Sequence, residues 1–214
     1  MEALLRVNNL SHSFDYPLFH DLNFTLEKQQ SISITGVSGS GKSTLLHICS
    51  TLLKPKSGEV FINGKNIYKL PNSELIKIRR NSIGIIFQSH FLFKGFSVKE
   101  NMEIAAILAK TNFDKNLIER LGIAHILKQK PGDISGGQQQ RVSLARVLSK
   151  KPKIIFADEP TGNLDAATAK EVTSLLFDYI EANNAALFLV THDLNLAKCC
   201  DTTYKLENLE LKPL

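Results

Sequence analysis

The chain has 214 residues, 43% of them hydrophobic and 22% charged, with 26 basic against 21 acidic side chains and a net charge of +5. That length suits one domain of ordinary to slightly large size, and the composition supports an apolar core without disulfides or a structural metal, which excludes disorder. No window approaches the ~20 consecutive apolar residues of a membrane-spanning helix, no basic-then-apolar leader opens the sequence, and three cysteines, two of them adjacent (Cys199 and Cys200), point to a reducing compartment. The basic residues are scattered, with no run interleaved with aromatics, so no nucleic-acid partner is expected.

Taken in chain order, β-rich runs at residues 4–7, 24–26 and 31–35 come first, the last reading SISIT. A glycine-rich stretch follows, and a helix after Gly41. Strands are predicted at residues 59–62 and 83–87, then helices at 97–109, 117–121 and 135–149, the last with Ser135 at the N-cap position. From about residue 89 to 150 the chain is mostly helical, which interrupts the strand–helix alternation as an inserted subdomain would. An apolar strand at 154–157, a helix at 166–182 and a strand at 186–191 restore that alternation, and YKLENLELKPL closes the last strand with no regulatory module expected after it. Short apolar runs such as SISIT and KIIFA suit a buried parallel sheet, so the fold class is α/β.

The stretch Gly36-Val37-Ser38-Gly39-Ser40-Gly41-Lys42-Ser43, followed by Thr44, fits G-x-x-x-x-G-K-[ST] between a strand and a helix. Its glycines let the backbone wrap closely around phosphate oxygens, and the loop amides with the first helical turn point at the anion. Lys42 suits the β- and γ-phosphates, and the Ser43 hydroxyl suits Mg²⁺. This loop alone leaves kinase, GTPase and transport ATPase open.

The strand at 154–157 ends in Asp158 and Glu159. Strand ends of parallel sheets are where ligands bind. Asp158 suits holding Mg²⁺, and Glu159, one residue on, is expected to project towards the γ-phosphate, where it could polarise an attacking water.

Ile134-Ser135-Gly136-Gly137-Gln138-Gln139-Gln140-Arg141 presents a hydroxyl, amides and a positive helix end to an anion. Read alone it is a helix cap. Between the phosphate loop and the acidic strand it resembles the LSGGQ signature of ABC (ATP-binding cassette) ATPases, with Ile134 for the usual Leu. The resemblance extends over essentially the whole chain. Gln88 matches the family's glutamine that touches Mg²⁺ and water and opens the segment facing a membrane subunit. Gly162-Asn163-Leu164-Asp165 resembles the loop that reaches across the dimer, and Thr191-His192-Asp193 the switch histidine. Phe14 lies where the family places an aromatic on adenine, with Tyr16 as the fallback.

The resemblance implies a P-loop NTPase with a RecA-like core, an N-terminal antiparallel β subdomain and a helical subdomain inserted at about 89–150, all within one domain, 1–214. It implies an ATPase using ATP and Mg²⁺ in a head-to-tail homodimer, with each nucleotide between Lys42 and Ser43 of one copy and Ser135 to Gln138 of the other. Glu159 would be the general base, His192 and Gln88 would assist it, and Ser43, Gln88 and Asp158 would hold the metal. Integral membrane permease subunits are the expected partners, which puts the chain peripherally on the cytoplasmic face of the inner membrane. Residues 89–101, with Phe91, Phe93 and Phe96, are the expected docking surface; the alternative is that these rings pack the helical insert. The segment Ala157 to Asp165 looks most like the subgroup serving lipoprotein release, macrolide export and bacterial cell division, with a signalling division ATPase as the alternative to lipoprotein release. A short stretch between Asn101 and Leu117, and Lys94 where a proline is usual, depart from that subgroup beside the expected partner surface.

Overall fold

The computed structural model describes residues 3–112, 115–162 and 164–214. It opens with β1 (Ala3–Ser13) and β2 (Pro17–Glu27), then β3 (Ser31–Thr35), α1 (Lys42–Cys49), β4 (Ser57–Ile62), the two-residue β5 (Lys65–Asn66) and α2 (Asn72–Asn81). β6 (Ile83–Ile86) leads into α3 (Val98–Ala109), α4 (Lys115–Arg120), two 3₁₀ turns (Ala124–Ile126 and Pro131–Asp133) and α5 (Gly136–Leu148). The chain finishes with β7 (Ile154–Asp158), α6 (Ala166–Ala182), β8 (Ala186–Val190), α7 (Leu194–Ala197), β9 (Thr202–Glu207) and β10 (Glu210–Pro213).

Two sheets result. One is antiparallel in the order β2-β1-β4-β5, and the other runs β10-β9-β3-β8-β7-β6. In the second, β3 pairs in parallel with both β8 and β9, and β7 with both β6 and β8. The strand feeding the phosphate loop is therefore central and wholly buried. Alternation decides which layer each residue joins. Ile154, Phe156, Phe188 and Val190 face the layer shared with α1 and the antiparallel sheet, where the Phe24 and Phe188 rings stack 5.6 Å apart. Ile155, Ala157, Leu187 and Leu189 face the opposite layer, built with Val98 and Met102 of α3, Val142 and Leu144 of α5 and Leu175 and Leu176 of α6.

Most expected elements are present, with corrected bounds. The strand expected at 4–7 is the first part of one eleven-residue strand, and that expected at 24–26 is the last part of another. Register shifts between Val7 and Leu10 and around His12 break the period-2 pattern that marks a strand. The strand expected at 83–87 stops at Ile86, that at 186–191 stops at Val190, and the helix expected at 117–121 starts at Lys115 and ends at Arg120. α2 lies outside the expected elements: its sequence, NSELIKIRRN, is mostly polar, with Ile78 buried and Leu75 partly buried on its apolar side.

Helix starts carry the functional information. Ser97 and Ser135 each form a reciprocal capping box, with Glu100 and Gln138, and Asp165 accepts from the amides of Ala167 and Thr168. Such caps contribute about 1 kcal/mol each. α1 has none: its N-cap is Gly41 at φ 99°, without a side-chain cap. Its first amides are left for something else to satisfy.

Candidate functional site

A cleft of about 420 Å³ opens over the start of α1, lined by Phe14, Tyr16, Leu18, Ser38, Gly39, Gly41, Lys42, Ser43, Thr44, Gln88, Asp158, Glu159, Val190 and His192. Its parts arrive from the β1–β2 hairpin tip, the loop after β3, the end of β6, the end of β7 and the end of β8. Backbone geometry builds the phosphate loop. Gly36 has φ 149°, and a Cβ there would sit 2.7 Å from the Leu206 carbonyl oxygen. Gly41 has φ 99°, with a Cβ position 3.1 Å from Leu18 Cβ. A side chain at either would be strained and crowded. Lys42 curls over the loop, donating from Nζ to the carbonyls of Gly36 (2.9 Å) and Val37 (2.8 Å). Ser40 Oγ is buried without a hydrogen-bond partner, which leaves a polar atom in the loop with capacity to spare.

The acidic pair divides its work. Asp158 Oδ1 accepts from Ser43 Oγ at 3.1 Å, bringing together two of the oxygen donors expected to hold a metal. Burial raises the pKa of Asp158 above the usual carboxylate range, opposed by the Ser43 hydrogen bond. Burial also lowers that of Lys42, opposed by Glu159 and Asp158. Each charge is thus held short of full solvation, as a site made for a charged ligand requires.

Glu159 borders the cleft, and its carboxylate is engaged there by the turn after β8. Its own backbone is left-handed at φ 47°. Its carboxylate accepts from Thr191 Oγ1 (3.1 Å), the His192 amide (2.8 Å) and His192 Nδ1 (2.7 Å). The two ends of β7 and β8 are adjacent, so a carboxylate one residue past β7 caps the turn after β8. Because that carboxylate accepts, His192 carries its proton on Nδ1.

The remaining expected residues sit elsewhere. Ser135, Gly136, Gly137 and Gln138 form the N-terminus of α5 and do not line the cleft. Ser135 Oγ accepts from the Gln138 amide, which leaves its own proton available to donate. Asp165 caps α6 and is also outside the cleft. Asn163 of the same loop lies outside the described residues. Phe14 and Tyr16, 57% and 60% exposed, both border the cleft at the hairpin tip, so the first choice and its fallback are both present. The sequence reading missed Leu18 and Val190 as cleft walls, since an apolar residue at a strand end carries no distinguishing signal.

Comparisons with known proteins identify a family. Residues 19–162 match the family model described as ABC transporter. A lipoprotein-releasing system ATP-binding protein LolD from Shewanella denitrificans is 41% identical over 209 residues, covering 92% of this chain and 90% of that protein. Its counterpart from Rickettsia bellii is 44% identical, over 88% and 86%. Among solved structures, a dimeric post-hydrolysis state of the ATP-binding cassette MJ0796 bound to ADP and Pi superposes with a TM-score of 0.89, at 32% identity over 97% of this chain and 96% of that one. With an intact phosphate loop, an acidic strand end and a signature helix on that shared fold, the chain belongs to the ABC transporter family, as its ATP-binding ATPase cassette.

Proposed function

We propose that this cassette works as a head-to-tail homodimer that hydrolyses ATP with Mg²⁺ on the cytoplasmic face of the inner membrane, driving separate membrane subunits that release lipoproteins. The observation that carries the dimer is the separation within one chain of two phosphate-binding surfaces. The cleft holds Lys42, Ser43, Asp158 and Glu159, whereas the amides and hydroxyl of Ser135 to Gln138 open α5 outside it. A second copy turned head to tail would bring its α5 to this cleft. Opposed charge on the nucleotide would then hold the two copies together, and hydrolysis would release them. The dimeric MJ0796 cassette supports this arrangement, and the LolD relatives support lipoprotein release.

Within the cleft, Lys42 would neutralise the β- and γ-phosphates while Phe14, or Tyr16, stacks on the base. Gly36, Ser38, Gly39, Ser40, Gly41 and Thr44 would shape the phosphate cradle. Ser43, Asp158 and Gln88 offer oxygen donors, and among the described residues no group of three or more His, Cys, Asp or Glu side chains forms a metal cage. That donor set fits Mg²⁺, which is held by few protein ligands together with substrate phosphates and water. When bound, the ion supplies neutralisation of phosphate charge. Glu159 would leave the Thr191–His192 turn to accept the water's proton, and His192 would then turn to the γ-phosphate.

Residues 1–214 read as one ABC domain with a helical insert at about 89–150. Beside the insert, Phe91, Phe93 and Phe96 are 65%, 50% and 42% exposed. Phe93 joins Leu52, Ile76 and Leu108 in a groove of about 540 Å³ bordered by Arg79, Arg80, Arg146 and Lys150. These exposed rings favour docking of a membrane subunit over packing within the insert. No described helix is long and apolar enough to cross a membrane.

The test is Glu159→Gln. It is expected to bind ATP normally and to lose turnover by about 10²–10⁴-fold, the range for a general base. With ATP it should co-purify from detergent-solubilised membranes with an integral subunit bearing a large extracytoplasmic domain. Unchanged hydrolysis would remove Glu159 from the role, and recovery of division proteins instead would overturn lipoprotein release while leaving the ATPase intact.

A further inference from the structure

Gln140, on the second turn of the signature helix, is buried, and both ends of its amide are engaged. Its Nε2 donates to the Pro160 carbonyl at 2.6 Å, and its Oε1 lies 2.6 Å from Nδ1 of His90. The orientation of the amide follows from its surroundings. A flipped side chain would set its oxygen against the Pro160 carbonyl, acceptor against acceptor, so the nitrogen faces Pro160. Oε1 then accepts, and His90 carries its proton on Nδ1.

His90 belongs to the segment after Gln88, two residues from the cleft-lining glutamine. Pro160 directly follows Glu159. Along its backbone the Glu159–Pro160 turn is also held where the Glu159 amide donates to the Val190 carbonyl and the Gly162 amide donates to the Glu159 carbonyl, and the Glu159 carboxylate is held by Thr191 and His192. Further along the same helix, Arg146 donates to the carbonyls of His90 (3.2 Å) and Phe91 (2.8 Å), and Phe91 sits in the left-handed region at φ 44°. The segment is therefore pinned to α5 at two levels, and the Gln140 level continues to the turn after Glu159.

We propose that Gln140 is a positioning residue that transmits the placement of His90, on the exposed segment after Gln88, to the backbone turn presenting Glu159, so that movement of that segment sets the rate of hydrolysis. This rests on Glu159 acting on the attacking water. Displacing His90 frees or drags the Gln140 amide, and the Pro160 carbonyl moves with it. In a turn at φ 47°, a small backbone shift swings the Glu159 carboxylate between the His192 turn and the cleft. Neither His90 nor Gln140 lines the cleft, so the effect belongs to the chemical step and not to ATP affinity.

The experiment uses the full chain with ATP and Mg²⁺, and measures kcat, KM and thermal midpoint for His90→Phe, His90→Asn, Gln140→Met and the double variant His90→Phe/Gln140→Met, with Glu159→Gln alongside. Asparagine places an N–H donor where His90 Nδ1 stands, and phenylalanine does not. His90→Phe and Gln140→Met are expected to lower kcat about 3- to 30-fold, the span of couplings inside one hydrogen-bond network, with KM within about twofold. His90→Asn should restore kcat, and the double variant should be no worse than Gln140→Met alone. Multiplicative losses in the double variant, or loss in His90→Asn equal to that in His90→Phe, would overturn the relay. If kcat follows the thermal midpoint across all variants, Gln140 is structural only and the proposal fails. Full turnover in Glu159→Gln would instead remove the reading beneath it.

Discussion

His12 is an unusual choice for the inside of a strand. It is 5% exposed, and neither ring nitrogen has a hydrogen-bond partner. A neutral imidazole carries one N–H, so a donor is buried unsatisfied, at a cost of about 1–3 kcal/mol. What His12 does is fill the space beneath Phe14, whose ring meets it edge-on at 4.9 Å, while Phe19 lies on its other side at 6.2 Å. Burial lowers the pKa of His12 from its ordinary 6.5, and nearby Lys56 lowers it further. The unfolded chain thus takes up a proton at a pH where the fold does not. Stability from this group is complete above about pH 6.5 and is lost as pH falls from there through the lowered folded value. His12→Phe should flatten that part of the curve. As pH falls from about 7.5 to 5, the difference in thermal midpoint should shift steadily in favour of His12→Phe; parallel curves would show that His12 keeps its charge options when folded. None of this is legible in the sequence, where His12 is one polar residue in a strand-like run. The phosphate loop could be read because its chemistry is contiguous, whereas Phe14 rests on partners that only the hairpin brings together.

Among the elements, α5 has the most demanding position. One end presents Ser135 to Gln138, its middle supplies Val142, Leu144 and Ala145 to the core, and Val147 meets β6. The approach to β6 is close because residue 84 is glycine: a Cβ there would stand 2.7 Å from Val147 Cγ1 and 2.8 Å from Pro152 Cγ. Gly84→Ala should therefore cost about 1–3 kcal/mol by overpacking. Urea unfolding should show a lower midpoint with an unchanged slope. An unshifted midpoint would mean that α5 can retreat from the sheet, and that its aim is less rigid than its burial implies. The bounds of α3 and α6 were readable because their caps, Ser97 and Asp165, are local signals. β1 and β2 were not, because bulges interrupt their alternation, and α2 was hard to see because it is a short, largely polar helix that fully buries Ile78 alone.

At the scale of the whole molecule, the proposed dimer makes a prediction that one chain cannot. Gly137→Asp should fold, since a Cβ there meets only Leu164 Cδ2 at an ordinary 3.7 Å, and an acid suits a helix N-terminus. Yet its charge would repel a nucleotide presented by a second copy. Lys42→Ala and Gly137→Asp should each be inactive alone. Mixed one to one, half the dimers would hold one copy of each, with one intact site in two, and activity should return to about a quarter of wild type. No recovery, with mixed dimers demonstrated, would exclude sites shared between copies. The sequence could name both halves of such a site, but not that a single chain keeps them apart.

The order of strands also bears on how the protein is made. β3, with the phosphate loop at its end, pairs with no strand near it in sequence. Its neighbours are β8 and β9, and Ser31 bonds to Asp201 through both its amide and its hydroxyl, 170 residues away. During synthesis from the amino terminus, the antiparallel hairpin can form early, but the strand that carries the phosphate loop waits for almost the entire chain. A truncated product ending before β8 would carry the most recognisable motif in the sequence and no place to put a nucleotide. Cells that meet such fragments would face an exposed SISIT strand with two open edges, a substrate for chaperones and proteases before it could ever compete for ATP.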